Sequence, residues 1–278
     1  MDSLRLNCIW VLSKRELRST LYGFGVYLAI LISLLISAVI LQNYLKAVGH
    51  HRMLISASPL AHPLFIATSV CAIYLALTSV TSIARERDTR TLEALFYGPV
   101  DHVSYILGKY VKSMLSYVFI VFFLAGYFVF MSRVLNLGLS TKFLGVLLLS
   151  FFLSSCVVSF GIFISTLTQS VRTSVLVFLG IVGGLITIQV THGMLVRMAP
   201  ENLPPPLIYL RNTVSIVNGG VKWVSPFHYL LSGREAVSLG TVRGYAVSGS
   251  SSVIYSAVAL VLSLVVLKWR GIRKTTGE

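Results

Sequence analysis

Charge is scarce in this 278-residue chain. Asp, Glu, Lys and Arg make up 12% of it and only 9 residues are acidic, where a soluble domain carries about 25% charged residues. The apolar residues, 55% of the chain, come in long uncharged runs. A soluble helix would place a charge every turn or two. The shortage excludes a soluble globular domain, and the mean hydropathy of +0.83 agrees. Cysteine is scarce as well. Cys8, Cys71 and Cys156 stand far apart in or beside apolar runs, so they form neither a metal motif nor a disulfide framework and read as small hydrophobes.

Several motifs are missing. Gly108-Lys109 is the only Gly-Lys pair, but Val103 replaces the glycine of a Walker A loop and Tyr110 its Ser or Thr, so ATP is not bound here by that motif. With neither HExxH nor a nucleophile elbow, the chain offers no catalytic residues and is not expected to be an enzyme. His50, His51, Met53 and His62 in one loop, with His192, Met194 and Met198 beyond a later run, read as interfacial polar residues, and no metal site is assigned. A cleavable signal peptide is not expected, because the first apolar run follows Lys14, Arg15, Glu16 and Arg18 and has spanning length. No ionisable residue stands in the middle of any run; Gln189, beside Thr187 and Thr191, is the most polar candidate. Ion-coupled carriers usually keep ionisable groups within the membrane and often show internal repeats. Neither is visible, which favours a driving force from outside this polypeptide over the alternative, a secondary carrier or channel.

The chain does have six apolar runs, at about 22–42, 62–83, 112–131, 143–167, 173–195 and 246–267. Each is near the ~20 residues that cross a bilayer as a helix. The expected fold is all-α: a polytopic membrane protein in which residues 1–278 form one domain. Net charge is +14, and the basic residues flank the runs, where they meet lipid headgroups; nucleic acid is not an expected partner. With the N-terminus inside, the inner segments hold Arg5, Lys14, Arg15, Arg18, Arg85, Arg87, Arg90, Lys109, Lys112, Arg172, Lys268, Arg270, Arg273 and Lys274. The two short outer loops hold Lys46, Arg52, Arg133 and Lys142. This bias puts both termini in the cytoplasm of a multi-pass protein of the cell membrane.

Three non-spanning pieces carry further information. In residues 3–20, Leu6, Trp10 and Leu17 share one side of a helix and Lys14, Arg15 and Arg18 another. This suggests a helix lying in the inner interface, or a plain basic flank. Residues 86–97 predict a short helix across the inner mouth. Glu86 and Arg90 are paired at i,i+4, Leu92, Leu95 and Phe96 share an apolar face, Gly98-Pro99 breaks the helix, and Asp101 is a candidate N-cap for the next one. The outer segment 196–245 holds Pro200 and Pro204-Pro205-Pro206, which forbid a regular helix there. Ser225-Pro226 then starts a helix ending near Gly240, too short to span, that rests in the outer interface or dips into the bundle. Gly180 and Gly184, Ser155 and Ser159, and Gly161 and Ser165 are small pairs suited to close helix packing.

The inner loop also carries a resemblance. Glu86-Arg-Asp-Thr-Arg-Thr-Leu-Glu-Ala-Leu, then Pro99, then Leu107-Gly108-Lys109 resembles the type-2 permeases of ATP-binding-cassette (ABC) exporters. Arg90 stands where that family usually has glycine. Lys14-Arg15-Glu16-Leu17 is similar to the family's interfacial helix, with Trp10, Lys14, Arg15 and Arg18 at the inner interface. Ser225-Pro226-Phe227 is similar to its external helix. The resemblance implies a six-span permease that pairs with a second copy or a homologous permease. Each would dock an ABC ATPase that carries ATP and Mg, so that this chain itself holds no cofactor. It also implies export of amphipathic or lipid-like substrates. On this reading Glu86, Arg87, Asp88, Arg90, Thr91 and Glu93 couple to the ATPase, while Leu92, Leu95, Phe96 and Pro99 anchor the coupling helix. The alternative for these charges is a solvated loop.

Overall fold

A computed structural model describes residues 2–51, 59–97, 100–136, 142–197, 205–239 and 241–269. Every regular element among them is helical: α1 (Asp2–Leu21), α2 (Phe24–His51), α3 (Ala61–Asp88), α4 (Thr91–Phe96), α5 (His102–Val134), α6 (Lys142–Leu167), α7 (Val171–Arg197), α8 (Pro205–Val224), α9 (Pro226–Leu239) and α10 (Val242–Trp269). Six of these, α2, α3, α5, α6, α7 and α10, are long and apolar enough to cross a membrane. The fold is polytopic and all-α, as expected. Because consecutive spans alternate in direction, α1, α4 and the α6–α7 corner share one end of the bundle, the α4 end. The α7–α8 and α9–α10 connections lie toward the far end.

The centre of the bundle is the α3–α6 pair. Gly161 explains why: a Cβ there would lie 2.9 Å from the Ala76 carbonyl oxygen and 3.1 Å from Ser79 Cβ. Only a residue without a side chain lets the two backbones come this close. Ser165, one turn on, accepts the Ile83 and Ala84 N–H groups at 3.0 Å each. Polar ties hold the neighbours: Ser33 to Cys71 (3.0 Å), Ser79 to Ser113 (3.2 Å) and Tyr110 to Ser155 (2.6 Å). Burial falls off outward, from 72% of the apolar window in α6 to 11% in α7. Gly180 and Gly184 of α7 have nothing among the described residues within 4 Å of an added Cβ, so this small pair, unlike Gly161 and Ser165, packs on none of them.

Three boundaries differ from the sequence reading. The helix expected over 86–97 is two: Glu86, Arg87 and Asp88 form the last turn of α3, and α4 starts at Thr91. Arg90, between them, has φ 55°, a left-handed conformation that ends a helix. The third span starts at His102, so Lys109 and Lys112 lie about two and three turns inside α5 instead of on its flank. A helix also follows the proline run. Pro205 and Pro206 fill the first turn of α8, where a missing N–H costs nothing, and the helix continues to Val224.

Segment α8–α9 turns back on the bundle. The Tyr255 hydroxyl donates to the Val224 carbonyl (2.8 Å), and the Tyr229 and Tyr255 rings lie 5.2 Å apart. Tyr255 is thirteen residues into α10, about 20 Å along it at 1.5 Å per residue. Phe227 stacks on Phe178 (6.5 Å), which is only seven residues, about 10 Å, from the α4 end of α7. The α8–α9 tip therefore reaches the middle of the bundle from the far end.

Candidate functional site

The residues singled out in the inner loop meet at the α4 end, around one lysine. Lys109 is 3% exposed. Its ammonium lies 2.6 Å from Glu16 of α1 and is also paired with Glu86 of α3. The Tyr105 hydroxyl donates to the second oxygen of Glu86. Two half-buried carboxylates and one buried ammonium thus join three helices, and the buried Lys112 lies one turn further along α5. Gly108 makes room for the arrangement, since a Cβ there would meet Leu12 of α1 at 2.7 Å. Beside it, the Ser13 hydroxyl is 3.0 Å from the Gly108 carbonyl. The Gly-Lys pair that fails as a phosphate loop is instead a helix-docking element.

Arg87 closes a second joint. Its guanidinium donates to the carbonyls of Thr166 (3.1 Å) and Thr168 (2.8 Å) at the end of α6, where unpaired carbonyls and the negative end of the helix dipole favour a cation. The sharp α3–α4 turn is held by threonines: the Thr89 hydroxyl donates to the Arg85 carbonyl (3.0 Å) and that of Thr91 to the Glu86 carbonyl (3.2 Å).

The expected residues therefore separate by environment. Glu86 and Arg87 are engaged inside the chain. Arg85, Asp88, Thr89, Arg90 and Thr91 are exposed. Leu92 is buried, Leu95 and Phe96 pack on the core, and the Phe96 ring stacks on His102 (4.6 Å) and Tyr105 (5.5 Å). The side chain of Glu93 and all of Pro99 lie outside the described residues. On α1, Leu12, Ser13 and Glu16 face α5, while Leu6 and Trp10 are exposed on one side and Lys14, Arg15 and Arg18 on another. An apolar stripe left uncovered next to a basic one suits a helix in the headgroup region. Among the described residues no three His, Cys, Asp or Glu side chains gather as a metal site; His50, His51, Met53 and Met198 have no described side chains.

Sequence reading missed Glu16, Tyr105 and the burial of Lys109. A signal was present: Tyr105 and Ile106 extend the apolar periodicity of α5 back past both lysines, so the helix face that buries them buries Lys109 too.

Six helices long and apolar enough to cross a membrane, with α1 and the jointed α3–α4 turn packed at one end, define a polytopic α-helical membrane protein. A family model described as ABC-2 family transporter protein matches residues 26–271, and the chain belongs to that family. It is accordingly a membrane subunit of an ABC transporter, and membership implies pairing with an ABC ATPase subunit. No curated protein matches the chain.

Proposed function

We propose that this permease exports an amphipathic substrate, driven by ATP that a separate nucleotide-binding subunit hydrolyses with Mg. The α4 end faces the cytoplasm, both termini are inside, and the membrane is the cell membrane; the basic flanks support this orientation. The observation that carries the reading is the two-sided α3–α4 turn. Its outer side presents Arg85, Asp88 and Arg90 to a partner. Behind it, Glu86, Arg87 and Leu92 bind it to α1, α5, α6 and the core. A push on the turn would move four helices together, which is what transmission from an ATPase requires. A second permease, identical or homologous, packs against α7, the span that the chain itself covers least.

The test uses Arg85 and Asp88, whose side chains are exposed and form no ion pair among the described residues. D88R/R85E is reconstituted with the cognate ATPase, and permease-stimulated ATP hydrolysis is measured. Stimulation should be lost while the permease keeps its melting temperature. Full stimulation by the variant would overturn the assignment. Reversal at Glu86 would confuse coupling with folding, because Lys109 depends on it.

A further inference from the structure

Helix α1 has three faces, and the fold uses one of them. With 3.6 residues per turn, Leu12, Ser13 and Glu16 share the inward face. Leu12 packs on Gly108, Ser13 bonds its carbonyl and Glu16 pairs with Lys109. The other two faces are bare. Leu6 and Trp10, 65% and 57% exposed, form an apolar stripe. Lys14, Arg15 and Arg18 form a basic stripe beside it, and all three are exposed. These cations have no ion pair among the described residues, since the neighbouring carboxylate of Glu16 is taken by Lys109. Arg18 instead lies over the exposed Tyr22 ring, 5.7 Å from its centroid.

What α1 touches sets its level. Glu86 stands in the last turn of α3, and Gly108 and Lys109 stand about two turns inside α5. So α1 crosses the ends of the spans, not their middles. Exposed aromatic side chains mark the same end: Tyr22 between α1 and α2, Tyr97 after α4 and Trp269 at the end of α10. Trp and Tyr gather where hydrocarbon meets headgroup. An acidic protein would match the basic stripe but leave Leu6 and Trp10 in water. A neutral bilayer would match the apolar stripe but leave three cations without counter-charge. A leaflet containing acidic lipid satisfies both stripes at once.

We infer that the bare faces of α1 bind anionic phospholipid of the leaflet at the α4 end, and that this contact seats α1 on the Lys109 joint. The basic stripe and Glu16 lie on opposite sides of one helix, so a single rigid element carries both contacts. Lipid that binds the seated helix better than the loosened one stabilises the seated form by mass action. The composition of the leaflet thereby sets how firmly α1, α3 and α5 are joined. Neither the binding nor its measurement involves ATP or an ATPase, so a failure of coupling and a failure of this surface are separate results.

The chain has three tryptophans, Trp10, Trp223 and Trp269, and W223F/W269F leaves Trp10 as the reporter, one turn from Lys14 on the adjoining stripe. The permease is placed in nanodiscs of phosphatidylcholine containing phosphatidylglycerol, with bromine on the acyl chains of one lipid or the other. Brominated phosphatidylglycerol should quench Trp10 at about fivefold lower mole fraction, the effect of one cation near an anionic surface. Salt at about 1 M should shrink the preference. K14Q/R15Q/R18Q should abolish it without changing the melting temperature in pure phosphatidylcholine, whereas K14R/R15K/R18K should keep it. Amide hydrogen exchange along residues 9–20 should slow about fivefold when phosphatidylglycerol is added to the original chain, and should not respond in K14Q/R15Q/R18Q. Equal quenching by the two lipids, or a preference that survives K14Q/R15Q/R18Q, would overturn the surface. Exchange that ignores phosphatidylglycerol would overturn the seating of α1 by lipid. Equal quenching together with weaker ATPase binding by K14Q/R15Q/R18Q would give the cations to the ATPase and overturn the proposal as well.

Discussion

Lys109 of α5 lies 2.6 Å from Glu16 of α1 and simultaneously neutralises Glu86 of α3. The ammonium is buried while the Glu16 and Glu86 side chains keep 15% and 20% of their exposure, so the energetics of the joint are asymmetric. Removing the ammonium strands two carboxylates, whereas removing all three charges strands nothing. Losing one partner of a buried pair costs about 3–5 kcal/mol, while an apolar replacement of the whole set is often neutral. K109M should therefore lower the melting temperature of the purified permease sharply, and E16Q/E86Q/K109M should recover most of the loss. If the triple variant melts no higher than K109M, the lysine is not held by these carboxylates.

Arg90 gives a prediction of the opposite sign. Its φ of 55° costs an L-residue about 1–2 kcal/mol, and its side chain is exposed. Glycine removes that strain but loses about 0.5–1 kcal/mol of chain entropy on folding. R90G should thus stabilise by a few tenths to about 1 kcal/mol, and R90V, with a β-branched side chain, should destabilise. Equal melting temperatures for R90G and R90V would show that the turn is not strained.

The same residue marks where sequence reasoning stopped. The stretch from Ala84 to Phe96 has helix-forming composition throughout, and the break inside it depends on one backbone angle that arginine does not advertise. The resemblance held the clue, because glycine is usual at that position, and the left-handed turn is the physical reason for it. The six spans were legible because lipid imposes a fixed apolar length. The Lys109 joint was not, because its partners are 93 and 23 positions away in sequence and the hydropathy of a lysine says nothing of what it touches. Helix α8 is hidden in the sequence because prolines that bar a helix interior can also begin one.

The glycines offer the sharpest contrast, since one set is filled by this chain and the other is not. At Gly161 an added methyl would meet the backbone of α3 at 2.9 Å. A carbonyl oxygen cannot rotate aside, so G161A should force α3 and α6 apart at about 1–3 kcal/mol. Among the described residues nothing lies within 4 Å of a Cβ added at Gly180 or Gly184, and α7 is the least buried span. Bulk added there strikes none of the described residues. If a second permease packs on this face, G180I/G184I should leave the unfolding temperature of the isolated chain unchanged and yet shift the detergent-solubilised protein, measured by light scattering, from twice the chain mass toward one. The two measurements together separate fold from assembly: G161A should lose melting temperature, whereas G180I/G184I should lose only pairing. A G180I/G184I protein that remains at twice the chain mass would place the partner on some other span.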